Sequence, residues 1–350
     1  MPSDRFPDSG SGFASRRGFL QLAAAMSVDF FPVKRWFEQW RALGKTPRAA
    51  KVTPFITPNE DFYLVAVDPS FRPRFDARTV QSGWTLELGG VGAHSRTYRY
   101  DELLQRATHK VHHTFECIGN GVGGQLIGNA EWHVIALKEL LAEAPGGTDA
   151  AKSVMFTGLD DFYSSVSVAR ALDDYAFLAL RMNAEPLPAA HGYPARVMLP
   201  DLYGMKQPRW LRRIALQAEA QTTSYWEKRD WAGEVPVKTM SRLDRRGQAG
   251  AGEQIALSGV AYAGKRGIAK VEISLDGGAS WVECKLVSPQ TPNVWSLWRY
   301  EWNKPGPARY TLEVRAVDGR GKMQIAQRQD AFPDGASGYD RESVIIDRNA

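Results

Sequence analysis

From about Glu253 onward the chain reads as one strand after another, and no other feature limits its fold as much. Apolar and β-branched runs recur at Gln254–Gly259, Lys270–Leu275, Trp295–Trp302 and Tyr310–Val317, separated by turn residues. Asp276-Gly277-Gly278, followed by Ser280-Trp281-Val282, marks a hairpin, because glycine takes positive φ readily. Strands of this kind bury their apolar faces by packing sheet on sheet, so residues 233–350 are expected to form an immunoglobulin-like β-sandwich. Upstream the pattern is different. Strand-like runs at Asp61–Val67, Trp84–Leu88 and Lys110–Cys117 alternate irregularly with short helices at Tyr100–Gln105, capped by Asp101, and at Ala136–Ala144. Residues 51–232 are therefore expected to form an α+β unit. The basic, glycine-bearing stretch Val235–Gly252 is the expected linker.

A chain of 350 residues has ample material for two cores. The net charge of +5 is spread along the sequence without a basic stripe, which argues against a nucleic-acid partner. No run approaches the roughly 20 apolar residues that cross a bilayer, so no membrane span is expected. Residues 1–50 read as a leader with an N-terminal helix. Arg16-Arg17 ahead of the short apolar run Leu20–Val28 fits a twin-arginine signal, which exports folded proteins to the periplasm. The same residues also fit the start of an amphipathic helix, since Trp36, Trp40 and Leu43 continue at helical spacing.

Cysteine occurs twice, about 170 positions apart, so a disulfide framework is excluded. Cys284 lies in a strand-like run and suits packing. Cys117 ends a strand-like run just before the turn Gly119-Asn120-Gly121-Val122-Gly123-Gly124, where a thiol suits nucleophilic chemistry or metal ligation. Thiolate is a soft donor for molybdenum, copper or zinc. Zinc normally takes three or four protein ligands, and no second cysteine or histidine pair stands nearby. His112 and His113 are adjacent in a strand and point to opposite faces, so they cannot chelate together. A one-cysteine site needs a cofactor that brings the remaining ligands.

A second constellation is His191-Gly192-Tyr193-Pro194-Ala195-Arg196, then Lys206 and Arg209-Trp210. One histidine and three cations on a loop punctuated by proline and glycine suit a phosphate-bearing anion, or simply a solvated basic loop.

Cys117 with Gly119-Asn120, Gly128-Asn129-Ala130-Glu131-Trp132 and His191-Gly192-Tyr193-Pro194-x-Arg196 resemble the sulfite oxidase family of molybdopterin-dependent oxidoreductases. Asn59-Glu60-x-Phe62-Tyr63, Arg209-Trp210-Leu211, Tyr225-Trp226, Arg229-Asp230 and Ser274-Leu275-Asp276-Gly277-Gly278-x-Ser280-Trp281 extend the resemblance from about Thr57 to Tyr339. It implies an α+β molybdopterin-binding domain followed by an immunoglobulin-like domain used for dimerisation. It also implies molybdenum held by Cys117 and a molybdopterin dithiolene, with oxygen-atom transfer on a small sulfur- or nitrogen-containing substrate. Asn120, His191, Arg196, Lys206 and Arg209 fall on positions implied to hold the cofactor, with Asp160 or Asp161 on the loop before Ser165. Tyr163 is the nearest match to an active-site tyrosine, although gapless counting reaches Phe162. No Cys-x-x-Cys-His haem site is present, so a separate carrier such as a cytochrome c is implied. The resemblance further implies a homodimer or hetero-oligomer through the C-terminal domain.

The departures are specific. Relatives acting on sulfite or nitrate show Arg-Asn-His where this chain has Val65, Ala66 and Val67. They carry arginines after the cysteine turn, where Gly121 and Val122 stand here, and a glycine where Val134 stands. A partly dry pocket needs cations to hold a small dianion, since each unpaired buried ion costs several kcal/mol. The expected substrate is therefore neutral or bulkier than sulfite. The alternative is a catalytically degenerate member acting as an assembly or interaction subunit.

Overall fold

The computed structural model describes residues 52–346, apart from short segments at 69–70, 72–78, 93, 221–222, 246–253 and 304. The leader and its paired arginines lie outside the described residues.

In chain order the first strands are β1 (Thr85–Gly89), β2 (Ser95–Arg99), β3 (His109–Glu116), β4 (Ile127–Ala136) and β5 (Ser153–Gly158). Then come β6 (Tyr163–Ser167), β7 (Phe177–Met182), β8 (Glu185–Pro186), β9 (Arg196–Met198) and β10 (Leu211–Gln217). They form two five-stranded sheets. One runs β2-β1-β10-β5-β6, with β1 and β10 parallel; the other runs β3-β4-β7-β8, with β9 added beside β7. Among the described residues helices contribute little, the longest being Tyr100–Arg106. The unit expected to be α+β is thus dominated by strands.

β4 is the central element of the second sheet, buried along almost its whole length. Trp132 is fully buried there and donates its indole N–H to His113 O at 3.1 Å, so a large ring enters the core without orphaning its donor. Phe62 and Phe115 pack edge-on around it, with centroids 6.0 and 5.2 Å from the Trp132 ring. Burial of one such side chain contributes on the order of 2–3 kcal/mol.

Two local expectations change. Asp61–Val67 forms no strand: it is a turn followed by extended chain. Its apolar residues follow the burial of Phe62 and the lining of a cleft, and no neighbouring strand pairs with it. Asp101 is not the helix cap. Arg99 holds that position, and its N–H donates to Glu102 Oε2 at 2.6 Å, leaving Asp101 in the first turn.

The second half contains β11 (Met240–Arg245), β12 (Ile255–Tyr262), β13 (Ile268–Ser274) and β14 (Val282–Glu283). It continues with β15 (Lys285–Leu286), β16 (Ser296–Trp302), β17 (Ala308–Asp318) and β18 (Asp340–Ile346). Two antiparallel four-stranded sheets, β11-β12-β16-β15 and β14-β13-β17-β18, share one apolar core. Cys284 packs into that core. β11 lies inside the stretch expected as a linker; Leu243 anchors it by burial, at 2% exposed.

The halves meet along β3, the edge strand of its sheet. Thr114 donates its N–H to Asn293 O at 2.8 Å, its carbonyl accepts the Tyr262 hydroxyl at 3.2 Å, and its Oγ1 accepts the Trp295 N–H at 2.9 Å. Arg242 donates to Gly124 O at 2.8 Å. The loop that follows β3 is therefore fixed from both sides. Among the described residues no helix is long and apolar enough to cross a membrane.

Candidate active site

Cys117 is the first residue past β3 and is 7% exposed. Its N–H donates to Leu126 O and its carbonyl accepts the Asn120 N–H, both at 2.9 Å, so the turn closes around it. Asn120 braces the turn from inside: Nδ2 donates to Glu116 Oε1 at 2.9 Å and Oδ1 accepts the Leu126 N–H at 3.0 Å. Gly124 is obligatory, because a β-carbon there would sit 2.4 Å from Asn120 Oδ1. Burial pushes the Cys117 thiol up to about 12, against the opposing pull of the Gly119 N–H. Left alone it is an inert thiol; as a thiolate it needs a cation beside it.

Cys117 opens onto a cleft. Four parts of the chain line it: Phe62–Tyr63 with Val65–Val67; Asp160 and Phe162 from the β5–β6 turn; His191 to Arg209; and Trp226 with Trp231. His191 donates Nε2–H to Asn59 O at 2.8 Å, and burial lowers its pKa to about 4, so it is a neutral group.

Arg196, 6% exposed, stacks its guanidinium 4.0 Å from the Phe115 centroid and 5.4 Å from that of Trp132. Nη1 donates to His191 O at 3.1 Å, while Nε is buried with no partner. Burial first, then the nearby Arg209, lowers its pKa to about 9. Arg209 donates to Ala190 O at 2.8 Å and Val65 O at 3.0 Å, and burial lowers its pKa while Asp160 opposes the shift. Neither arginine forms an ion pair among the described residues. Asp160 is the one carboxylate lining the cleft, held protonated more easily than usual by burial. Two guanidiniums against one carboxylate leave the cleft in need of an anion.

His113 adds a test of this electrostatic picture. It is 2% exposed, its Nε2 has no partner, and burial together with the Arg196 charge lowers its pKa to about 3. Below its unfolded value of about 6.5 the unfolded chain binds a proton that the folded chain refuses, so stability falls as pH falls. At pH 5 the loss from this group is about 2 kcal/mol. Denaturant titrations at pH 7 and 5 are expected to show that loss shrinking in His113→Gln. An unchanged pH dependence contradicts a neutral, buried imidazole.

The structure brings Cys117, His191, Arg196 and Arg209 onto one cleft and places the other expected residues elsewhere. Asp161 takes φ 58° and turns outward to Arg212 at 2.8 Å, its side chain 82% exposed; Asp160 faces the cleft instead. Lys206 is buried, and its ammonium donates to Ser165 O and Ser224 Oγ, both at 3.0 Å, and to Glu227. All three donors are used within the protein, so it braces the wall and has none left for a cofactor. Tyr163 lies outside the lining, edge-on to Tyr225 with Lys228 over its ring, and Phe162 takes the cleft position. Asn120 also lies outside the lining and acts through the turn. Val122 is half-buried and not in the lining, whereas Val65 is. Phe162, the position that gapless counting reached, lies in the cleft; Tyr63 and Trp226, named in the sequence only within longer motifs, and Trp231, not singled out there, line it as well.

Two family models match the chain. One described as an oxidoreductase molybdopterin-binding domain matches residues 73–226, and one described as a Mo-co oxidoreductase dimerisation domain matches residues 235–330. The chain belongs to the sulfite oxidase family of molybdopterin-dependent oxidoreductases. Relatives in the family include the mitochondrial sulfite oxidase of Mus musculus, 27% identical over 318 residues, covering 77% of this chain and 57% of that protein. The Homo sapiens enzyme is 28% identical over 312 residues, covering 75% and 56%. The chain thus spans a little over half the length of these relatives. The sulfane dehydrogenase SoxCD from Paracoccus pantotrophus shares the fold, with a TM-score of 0.75 at 21% identity, covering 97% of this chain and 93% of that one.

The family's molybdenum cofactor fits the residues present. A buried thiol faces the cleft, and two guanidiniums there lack a carboxylate partner. Among the described residues no three His, Cys, Asp or Glu side chains cluster as a metal site.

Proposed function

We propose that this protein is a molybdenum-cofactor oxidoreductase acting on a neutral sulfur- or nitrogen-containing substrate in preference to sulfite. The observation that carries the reading is the pair of guanidiniums, Arg196 and Arg209, that share a cleft with Cys117 and form no ion pair among the described residues. Cys117 would ligate the metal. Arg196 and Arg209 would hold the pterin phosphate by charge-assisted hydrogen bonds, with the neutral His191 beside them. When bound, the cofactor supplies two-electron oxygen-atom transfer, and the protein determines what reaches it.

Charge counting supports the neutral substrate. Once a phosphate engages the two arginines, the cleft offers no further cation, and Val65, Ala66, Val67, Phe162, Met205, Trp226 and Trp231 form apolar wall. A dianion entering there would remain unpaired, at a cost of several kcal/mol. The same reading has electrons pass to or from a separate carrier of the cytochrome c type. It takes residues 233–350 as an immunoglobulin-like domain pairing the chain into a homodimer or hetero-oligomer, which the dimerisation-domain match and the two packed sheets support. It also keeps the paired arginines as a twin-arginine leader to the periplasm.

Metal and pterin analysis, then a substrate panel with an artificial carrier, tests it. Protein from a host able to make the cofactor is expected to hold about one molybdenum per chain and to turn over sulfite with weak affinity. Val65→Arg places a cation on the cleft wall and is expected to tighten sulfite by roughly tenfold. Metal-free protein would leave only a scaffold role, and saturation at micromolar sulfite in the unaltered chain would refute the neutral pocket.

A further inference from the structure

We infer that the Tyr63 hydroxyl orients the substrate by donating a hydrogen bond to a neutral oxygen acceptor, as in a sulfoxide or amine oxide, whose apolar substituent lies against Phe162 and Trp226. The inference deepens the neutral-substrate reading above and rests on it.

A survey of donors around the cleft leads to Tyr63. Gln207 is pinned at both ends of its amide: Oε1 accepts the Leu199 N–H and Nε2 donates to Leu202 O, both at 2.8 Å. His191 gives its ring N–H to Asn59 O. Arg209 is tied to two backbone carbonyls, and both arginines answer to an anion. Tyr63 lines the cleft, and its hydroxyl has no hydrogen-bond partner among the described residues. Its hydroxyl is a neutral donor that a ligand in the cleft can engage.

Its position is rigid. The ring stacks on Phe62 with centroids 5.6 Å apart and planes 20° off parallel, and Phe62 is itself wedged edge-on against Phe115, Trp132 and His191. Gly204 leaves the hydroxyl room: a β-carbon there would come within 3.0 Å of it. A phenol of ordinary value, about 10, is un-ionised at working pH and so donates. An acceptor oxygen is the matching group, and a neutral one, because the cations are already committed. On the apolar side, Phe162 and Trp226 flank Tyr225 at 5.4 and 5.2 Å, a ring surface suited to an aromatic or alkyl group.

The test is calorimetric titration of the cofactor-loaded protein with methyl phenyl sulfoxide and dimethyl sulfoxide. Methyl phenyl sulfoxide is expected to bind at least tenfold more tightly, and Trp226→Leu to erase that preference. Tyr63→Phe is expected to weaken both at least tenfold while keeping full molybdenum content. Gly204→Ala, which crowds the hydroxyl, is expected to act in the same direction. Unchanged affinity in Tyr63→Phe overturns the inference, as does loss of molybdenum from it, which would assign the hydroxyl to the cofactor. Wild-type protein that lacks molybdenum but still binds the sulfoxides through Tyr63 would overturn the functional reading and leave this subsite standing.

Discussion

Arg196→Met is expected to yield a protein that resists unfolding better without cofactor and retains the cofactor poorly. Arg196 is 6% exposed, donates one hydrogen bond, to His191 O, among the described residues, and leaves Nε buried without a partner. A buried charge with no opposite charge costs several kcal/mol, and its stacking on Phe115 and Trp132 returns about 1–2 kcal/mol of that. Methionine fills the same space between the rings without a charge, so the cofactor-free protein should gain on the order of 1–2 kcal/mol. Denaturant midpoints of the two cofactor-free proteins measure the gain, and molybdenum per chain measures retention. The sign separates two roles. A destabilised variant that keeps its molybdenum would make Arg196 a structural residue; a stabilised variant that loses it makes Arg196 a cofactor residue whose charge is a burden until the anion arrives.

Cys117→Ser is expected to show the opposite balance. Serine is nearly isosteric and the turn is held by backbone bonds and Asn120, so stability should move by less than about 1 kcal/mol. Activity should fall at least about 100-fold, since a neutral hydroxyl does not replace a soft thiolate ligand. Arg196 and Arg209 remain, so part of the cofactor should stay bound. Activity within a few-fold of wild type would remove Cys117 from the chemistry.

How much of this was legible in the sequence follows from what holds each residue. Cys117, with the alternating run before it, was readable because its environment is local: a strand end and a turn closed within ten residues. His191, Arg196 and Arg209 were readable as one cationic loop. Asp160 and Asp161 were not separable, because a single positive φ decides which faces the cleft. Lys206 looked like an anion ligand on spacing, but its partners Ser165, Ser224 and Glu227 come from two other places in the chain. Tyr63 lay in a run that reads as a strand, and only the packing of Phe62 under the core shows the segment to be cleft wall. In the second half β12, β13, β16 and β17 were legible because each carries its own alternation and turn, whereas β18 was not read. β11 was missed because its sequence is basic and polar and its burial depends on neighbours.

The central claim is that Cys117 ties molybdenum to this chain, and X-ray absorption at the molybdenum edge tests it most directly. Comparison of the wild-type protein with Cys117→Ser is predicted to show one sulfur neighbour fewer in the variant. The same number of sulfur neighbours in both proteins, or no molybdenum in the wild type, would contradict it.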